Sequence, residues 1–449
     1  MSEADPNAFQ PPNETTSPDS SPQRSAGDVA IKLRVMMFLE FFIWGVFFVT
    51  MGTYLSLLFK GEEGINSIIG SSYATQTWAA LFAPLIVGYL GDRLINKEHL
   101  NGILHLIGAG ILWWVSTITD SGMLFWALLA FFICYMPTLA LVNTITFQNV
   151  DDIEKEFPKV RLWGTIGWIA AGLVISESFF GIFSLPVLPG IENGGSSNVQ
   201  FKIAAVASLV FGIFSFWLPA SPPEGRGKPV SLLKVLGFDA LNLLTKPAYF
   251  IFALCSFLIC IPLAFYYART GEFVGQMAFG DSTGGVMALG QVSEIVFMAL
   301  VPFFLLRLGV KKMLLVGMLA WAIRYVLFGL FPSSSIMLVA GIVLHGICYD
   351  FFFVTGQLYT DRVAPPETRT SAQALVGLLT YGAGMLVGNY VLGYWGDSIG
   401  LDPSTKEGWL ASGKQFWLMP AIFAAGVAVL FFVTFWDQTK NPAASSEDG

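Results

Sequence analysis

Long apolar stretches, interrupted only by single polar positions, recur along the whole chain. They lie near residues 33–58, 66–90, 99–119, 122–147, 161–182 and 200–218. After a polar interval they resume near 248–270, 284–306, 313–331, 335–360, 371–395 and 415–436. A helix needs about 20 residues to cross the roughly 30 Å hydrocarbon core of a bilayer, and each stretch comes close to that length. Backbone N–H and C=O groups find no partners in lipid, so only helices and closed barrels cross it. The stretches lack the alternation of barrel strands. The pattern predicts an all-α membrane protein with twelve transmembrane helices.

Composition agrees. Hydrophobic residues make up 54% of the 449 and charged residues only 12%, about half the share usual in soluble domains. Charge then sets an orientation. With a cytoplasmic N-terminus, Lys60, Lys202, Arg269, Lys406 and Lys414 fall outside and Arg324 falls within a span, which leaves eighteen of the 24 basic residues on the cytoplasmic side. The positive-inside rule favours that topology, with both termini cytoplasmic. Residues 1–30, rich in Pro, Ser, Asn and Asp, carry too little apolar surface to fold alone and form a disordered cytoplasmic tail. They lack the basic start and cleavage site of a signal peptide. Cys134, Cys255, Cys260 and Cys348 all lie in spans, so no extracellular disulfide framework is expected.

The longest internal break follows the sixth span. It divides the chain into an N-terminal six-helix bundle (31–219), a linker (220–247), a C-terminal six-helix bundle (248–437) and a tail (438–449). The linker begins with Pro and Gly, and its 232–244 segment is expected to form an amphipathic helix on the membrane surface. The halves echo one another. Pro158 and Arg161 precede the fifth span as Pro366 and Arg369 precede the eleventh; "GYLGDRL" follows the second span as "RLGVKK" follows the eighth. The first of these loops resembles the Gly-x-x-x-Asp-Arg signature of the major facilitator superfamily. That resemblance implies gating roles for Asp92, Arg93, Arg307 and Lys311 at the cytoplasmic ends of helices.

Ionisable groups at mid-membrane cost about 2.5–3.5 kcal/mol on insertion scales, so they are paired, hydrated or functional. The chain has few: Glu40, His105, Arg161, Glu177, Glu294, Arg324, His345 and Asp350. Gln291 and Glu294, three apart near the centre of the eighth span, share a helix face. A carboxylate beside an amide suits vicinal hydroxyls and can carry a proton; the same pair could instead bridge two helices. His345 and Tyr349 share a face of the tenth span, where the histidine is either a proton carrier or a packing residue. Asp350 points about 140° away from His345 at 100° per residue, toward a neighbouring helix or the cavity wall, with Arg324 as a candidate partner. Arg161, Thr165 and Trp168 form one stripe on the fifth span. An indole, a hydroxyl and a guanidinium on one face can hold a flat ligand with a polar edge. Arg161, about 13 Å below the midpoint of that span at 1.5 Å per residue, could equally be a surface anchor. The residues alone leave open a transporter of nucleosides, of sugars or of other small polyols, and a membrane sensor that binds without moving its ligand. An enzyme is not expected, since no metal-ligand spacing or nucleophile arrangement is present.

Beyond these residues, "YMPTLALVNTITF", "FPKVRLWGTIGW", "QVSEIVFMALVPFFLLRLGVKK", "DFFFVTGQ" and "TRTSAQAL" occur in the order seen in the nucleoside:proton symporters of the major facilitator superfamily. The chain resembles that family from about Leu33 to Trp436. The resemblance implies a transporter in the bacterial cytoplasmic membrane that imports nucleosides with protons by alternating access. It implies substrate contacts at Arg161, Thr165, Trp168, Gln291, Glu294, His345 and Tyr349, and proton coupling through Glu294, His345 or Asp350. No cofactor, metal, nucleic acid or obligate protein partner is implied, only the nucleoside, the proton and the bilayer. The chain departs from the family at His345, where members carry a phenol, and in the seventh span, where Tyr266 and Tyr267 stand in for an amide pair.

Overall fold

The computed structural model describes residues 26–91, 93–180, 193–223 and 237–437. Asp92, the 1–25 and 438–449 tails and most of the linker lie outside the described residues. Among the described residues the regular secondary structure is helical. In the first half α1 is Gly27–Leu58, α2 is 65–91, α3 is Lys97–Val115, α4 is Ser121–Gln148, α5 is Ile153–Val174 and α6 is Val199–Ser215. In the second half α7 is Pro247–Val274, α8 is 283–308, α9 is 310–330, α10 is Ser335–Val363, α11 is Pro366–Ser398 and α12 is Lys406–Thr434. This layout is consistent with the twelve expected spans. The first helix already runs from Ala26, so the last residues of the expected tail are helical.

Local sequence sets the ends. Asp120, Asp152 and Thr405 cap α4, α5 and α12 by accepting the backbone N–H groups of Met123, Lys155 and Gly408, which satisfies donors the helix cannot. The turn from α8 to α9 is made at Gly309, whose φ of 71° and ψ of 171° suit a residue without Cβ. The linker segment Phe238–Thr245 is a 3₁₀ helix, where an amphipathic α-helix was expected. Its buried side is Gly237, Ala240 and Leu243. That spacing of three fits the 3₁₀ period rather than 3.6.

α5 begins eight residues before Arg161, earlier than the 161–182 stretch suggested, because Asp152 and not the onset of apolar residues sets where the helix starts. Arg161 lies about 4 Å from the midpoint of that helix at 1.5 Å per residue.

Some ionisable groups in the spans are paired. In the first half the buried His105 meets Glu40 at 3.1 Å through Nε2 and Ser208 at 3.2 Å through Nδ1, while Thr138 donates to Glu40 at 2.7 Å. This cluster ties α1, α3, α4 and α6 together away from the interface between halves. Glu177 lies beyond α5, accepting the Asn193 N–H.

Glycine permits the closest helix approaches. An ideal Cβ at Gly172 of α5 would lie 2.6 Å from the Gly284 carbonyl oxygen of α8, and one at Gly167 would lie 2.2 Å from the Phe38 carbonyl. Gly382, Gly384 and Gly388 of α11 are similarly crowded by Leu81, Phe257 and Ile261. A side chain added at such a crossing must push backbone apart, at a cost of about 1–3 kcal/mol or more. Gly172→Leu should lower the melting temperature in detergent, whereas Gly110→Leu, with nothing within 4 Å of its added Cβ, should not. Equal melting of both variants would contradict this packing.

Candidate functional site

A chamber of about 110 Å³ lies between the halves. Two helix pairs wall it: α5 with α8, and α2 with α11. α5 contributes Arg161, Thr165 and Trp168; α8 contributes Gln291 and Glu294; α10 contributes Tyr349. Gln76 of α2, Tyr267 of α7, and Tyr381 and Met385 of α11 line it too, with Phe41, Trp44 and Phe48 of α1. Six of the seven side chains expected to touch a ligand thus meet in one space. A larger groove of about 670 Å³ lies between α11 and α12, lined by Trp395, Lys414, Ile422 and Phe423. It belongs to one half alone.

The walls are aromatic with a few polar points. The Arg161 guanidinium lies 4.1 Å over the Phe41 ring, a cation–π contact that orients it without neutralising it. Trp168 packs edge-on against Trp44 at 5.2 Å, and Phe48 reaches across to Tyr267 at 5.9 Å. Glu294 keeps 17% of its side chain accessible. His345, the seventh expected residue, is fully buried behind the wall. Its ring stacks on Tyr266 at 5.0 Å and 16°, and its Nε2 is 3.8 Å from the Glu294 carboxylate, beyond hydrogen-bonding range. Arg324 of α9 lies 4.0 Å over the Tyr266 ring.

Arg324 donates Nε–H to the Gly341 carbonyl at 2.8 Å and forms no ion pair with Asp350 among the described residues, contrary to the pairing suggested by the sequence. The rings of Tyr266 and Trp321 hold the guanidinium instead. Asp350 is fully buried, and neither of its carboxylate oxygens has a hydrogen-bond partner. It opens the π-helical turn Asp350–Val354 in α10, and Phe353 of that turn stacks on Tyr381 at 5.1 Å. Tyr381 sits in a second π-helical segment, Leu378–Gly384. Such segments widen a helix and re-aim side chains.

The halves clasp at the face opposite the termini. Asp397 of α11 accepts hydrogen bonds from the Asn66 and Ser67 N–H groups at 3.0 Å each, from the Asn66 amide at 3.1 Å and from the Ser67 hydroxyl. A carboxylate there meets the unsatisfied donors and positive dipole end of α2. Arg269 of α7, counted from sequence as an outer loop charge, is wholly buried: it donates to Asn66 at 2.7 Å and pairs with Glu272 at 3.1 Å. Ser176 and Ser196 reach the Ser282 carbonyl and Asp281 carboxylate at 3.2 and 2.7 Å. At the terminal face, Arg307 rests on Phe303 and Lys311 bonds the Phe435 carbonyl, both within the second half. Arg369, the echo of Arg161, lies at the surface 3.8 Å from Asp361.

With this geometry in place, similarity to known proteins can be read. The sequence profile of the nucleoside H+ symporters matches residues 28–440. The chain belongs to the nucleoside H+ symporter family. It is 37% identical to YegT of Escherichia coli (strain K12) over 93% of this chain and 96% of that protein. It is 31% identical to the xanthosine permease of the same strain, over 91% and 96%. The crystal structure of the nucleoside transporter NupG superposes with a TM-score of 0.78 at 28% identity, over 91% of this chain and 99% of that one. The fold is that of the major facilitator superfamily, and the symporter is an integral membrane protein.

Sequence reasoning missed Gln76, Tyr381 and the α1 aromatics because it looked for ionisable groups. Gln76 is visible in retrospect as an amide inside the apolar run "ATQTWAALF". The opposite-face clasp makes a prediction. Asp397→Ala removes four acceptor contacts, so a cysteine introduced at Thr165 should react faster with a membrane-impermeant thiol reagent added from that face. An unchanged rate would contradict a sealing role for Asp397.

Proposed function

We propose that the chamber is where this symporter binds its nucleoside, and that the structure represents its inward-facing side of the cycle. The chain is a proton-coupled nucleoside importer, which selects among the transporters and the sensor left open by the residues alone. What supports the chamber as the site is the convergence of Arg161, Thr165, Trp168, Gln291, Glu294 and Tyr349 from three helices of both halves on one space. A nucleoside has a flat base and a hydroxylated ring. Trp168 and Tyr349 take the flat faces, Gln291 and Glu294 take the ribose hydroxyls, and Arg161 with Thr165 completes the polar rim. A chamber of about 110 Å³ is smaller than the 300–1,000 Å³ usual for ligand pockets, so loading requires the halves to part.

In this reading the two bundles, 31–219 and 248–437, rock about the linker 220–247, with both termini and tails cytoplasmic. The clasp around Asp397 then seals the external face. Asp92, Arg93, Arg307 and Lys311 close the cytoplasmic face in the other state, where Arg307 and Lys311 exchange their contacts in the second half for partners in the first.

Coupling follows from the cost of buried charge. Glu294 faces the chamber and Asp350 is buried without a partner, so the free energy of each state depends on whether these carboxyls are protonated. His345, 3.8 Å from Glu294, tunes that carboxyl from behind the wall. One proton moving down 100 mV supplies about 2.3 kcal/mol, enough for roughly fifty-fold accumulation of a neutral solute.

Glu294→Gln fixes the side chain in a neutral form; uptake into proteoliposomes should lose its dependence on an imposed pH gradient while counterflow exchange persists. Gradient-driven accumulation at the wild-type level would remove Glu294 from coupling. A 2′-deoxynucleoside should bind about tenfold more weakly than its ribonucleoside, because it leaves buried polar groups unpaired. Equal affinity in a competition assay would remove Gln291 and Glu294 from ribose recognition.

A further inference from the structure

We propose that Gln76 reads the edge of the nucleobase, pairing its amide with a donor beside an acceptor such as the N3–H and C=O edge of uridine. The proposal rests on the chamber being the nucleoside site and adds to it a residue on the wall opposite the ribose contacts. α5 and α8 approach at Gly172 and Gly284, and they supply Arg161, Thr165, Trp168, Gln291 and Glu294. α2 and α11 approach equally closely, an ideal Cβ at Gly70 falling 2.4 Å from the Asn389 carbonyl. They supply Gln76, Tyr381 and Met385. A nucleoside whose hydroxyls engage the first wall is held with its base toward the second.

Gln76 is the only amide that the first half contributes to the lining. It is 8% exposed, and no described residue is hydrogen-bonded to its side chain. Its amide lines the chamber and is open to a solute there. The other lining amide, Gln291, stands beside Glu294 on the ribose wall, and the charged groups are less suited to a base edge. Arg161 only donates and an ionised Glu294 only accepts, whereas an amide offers a donor and an acceptor in one plane. That is the geometry by which Gln and Asn bind base edges in pairs of parallel hydrogen bonds.

The test is a thermodynamic cycle in reconstituted full-length protein, comparing uridine with 3-methyluridine, whose methyl group removes the N3–H donor and leaves the ribose intact. In the wild type, N3-methylation should weaken competition for labelled uridine by roughly tenfold or more. In Gln76→Leu, which keeps similar volume without the amide, the two nucleosides should compete about equally, and Gln76→Asn should restore part of the difference. Where transport is impaired, equilibrium binding to the purified variants reads the same ratio. An undiminished methylation penalty in Gln76→Leu overturns the proposal, as does equal loss of both nucleosides. Trp168→Ala separates the two readings: if it leaves uridine affinity untouched, the chamber itself is not the site, and the fault lies there rather than with Gln76.

Discussion

A polar group inside hydrocarbon must find a partner or a purpose, and this constraint organises the molecule. The backbone obeys it by forming helices throughout the described spans. Side chains obey it in three ways. Glu40 and His105 contact one another at 3.1 Å in the first half, with Thr138 and Ser208 filling their remaining capacity. Arg269 pairs with Glu272 within α7 and donates to Asn66 of the other half. The remainder gather around a small wet space, where Glu294, Gln291, Arg161, Thr165 and Gln76 keep access to a chamber rather than to lipid. Pairing holds helices together, while the unpaired groups are available to a solute.

Selective closeness of packing gives the halves their freedom to move. Where glycines let α5 meet α8 and α2 meet α11, backbones touch and the contact can slide with little side-chain interlocking. At the face opposite the termini, polar contacts are added to those crossings, and the carboxylate of Asp397 grips the start of α2 from the other half. Hydrogen bonds of this kind are strong enough to hold a state and few enough to be exchanged when a loaded chamber favours another. Transport thus depends on contacts that differ between states, not on the stability of either bundle.

Much of this was legible in the sequence. Length and apolarity predicted the twelve crossings, and helical spacing put Arg161, Thr165 and Trp168 on one face and Gln291 with Glu294 on another. The convergence of those faces reflects helix geometry, which spacing encodes directly. Other features depended on tertiary neighbours and were not legible. The start of α5 was set by a capping aspartate, which put Arg161 near the middle of that helix. Arg324 found aromatic rings instead of Asp350. Arg269 read as a loop charge because its partners, Asn66 and Glu272, include one that is two hundred residues distant in sequence. Gln76 carried no charge to draw attention, and the two π-helical segments that bring Phe353 and Tyr381 together leave no simple periodic mark.

The most direct measurement is a structure of the protein with uridine bound at a concentration near its affinity. The account predicts the nucleoside between Trp168 and Tyr349, with its ribose hydroxyls against Gln291 and Glu294. A nucleoside bound outside the chamber, or bound within it without contact to α8, would contradict the account.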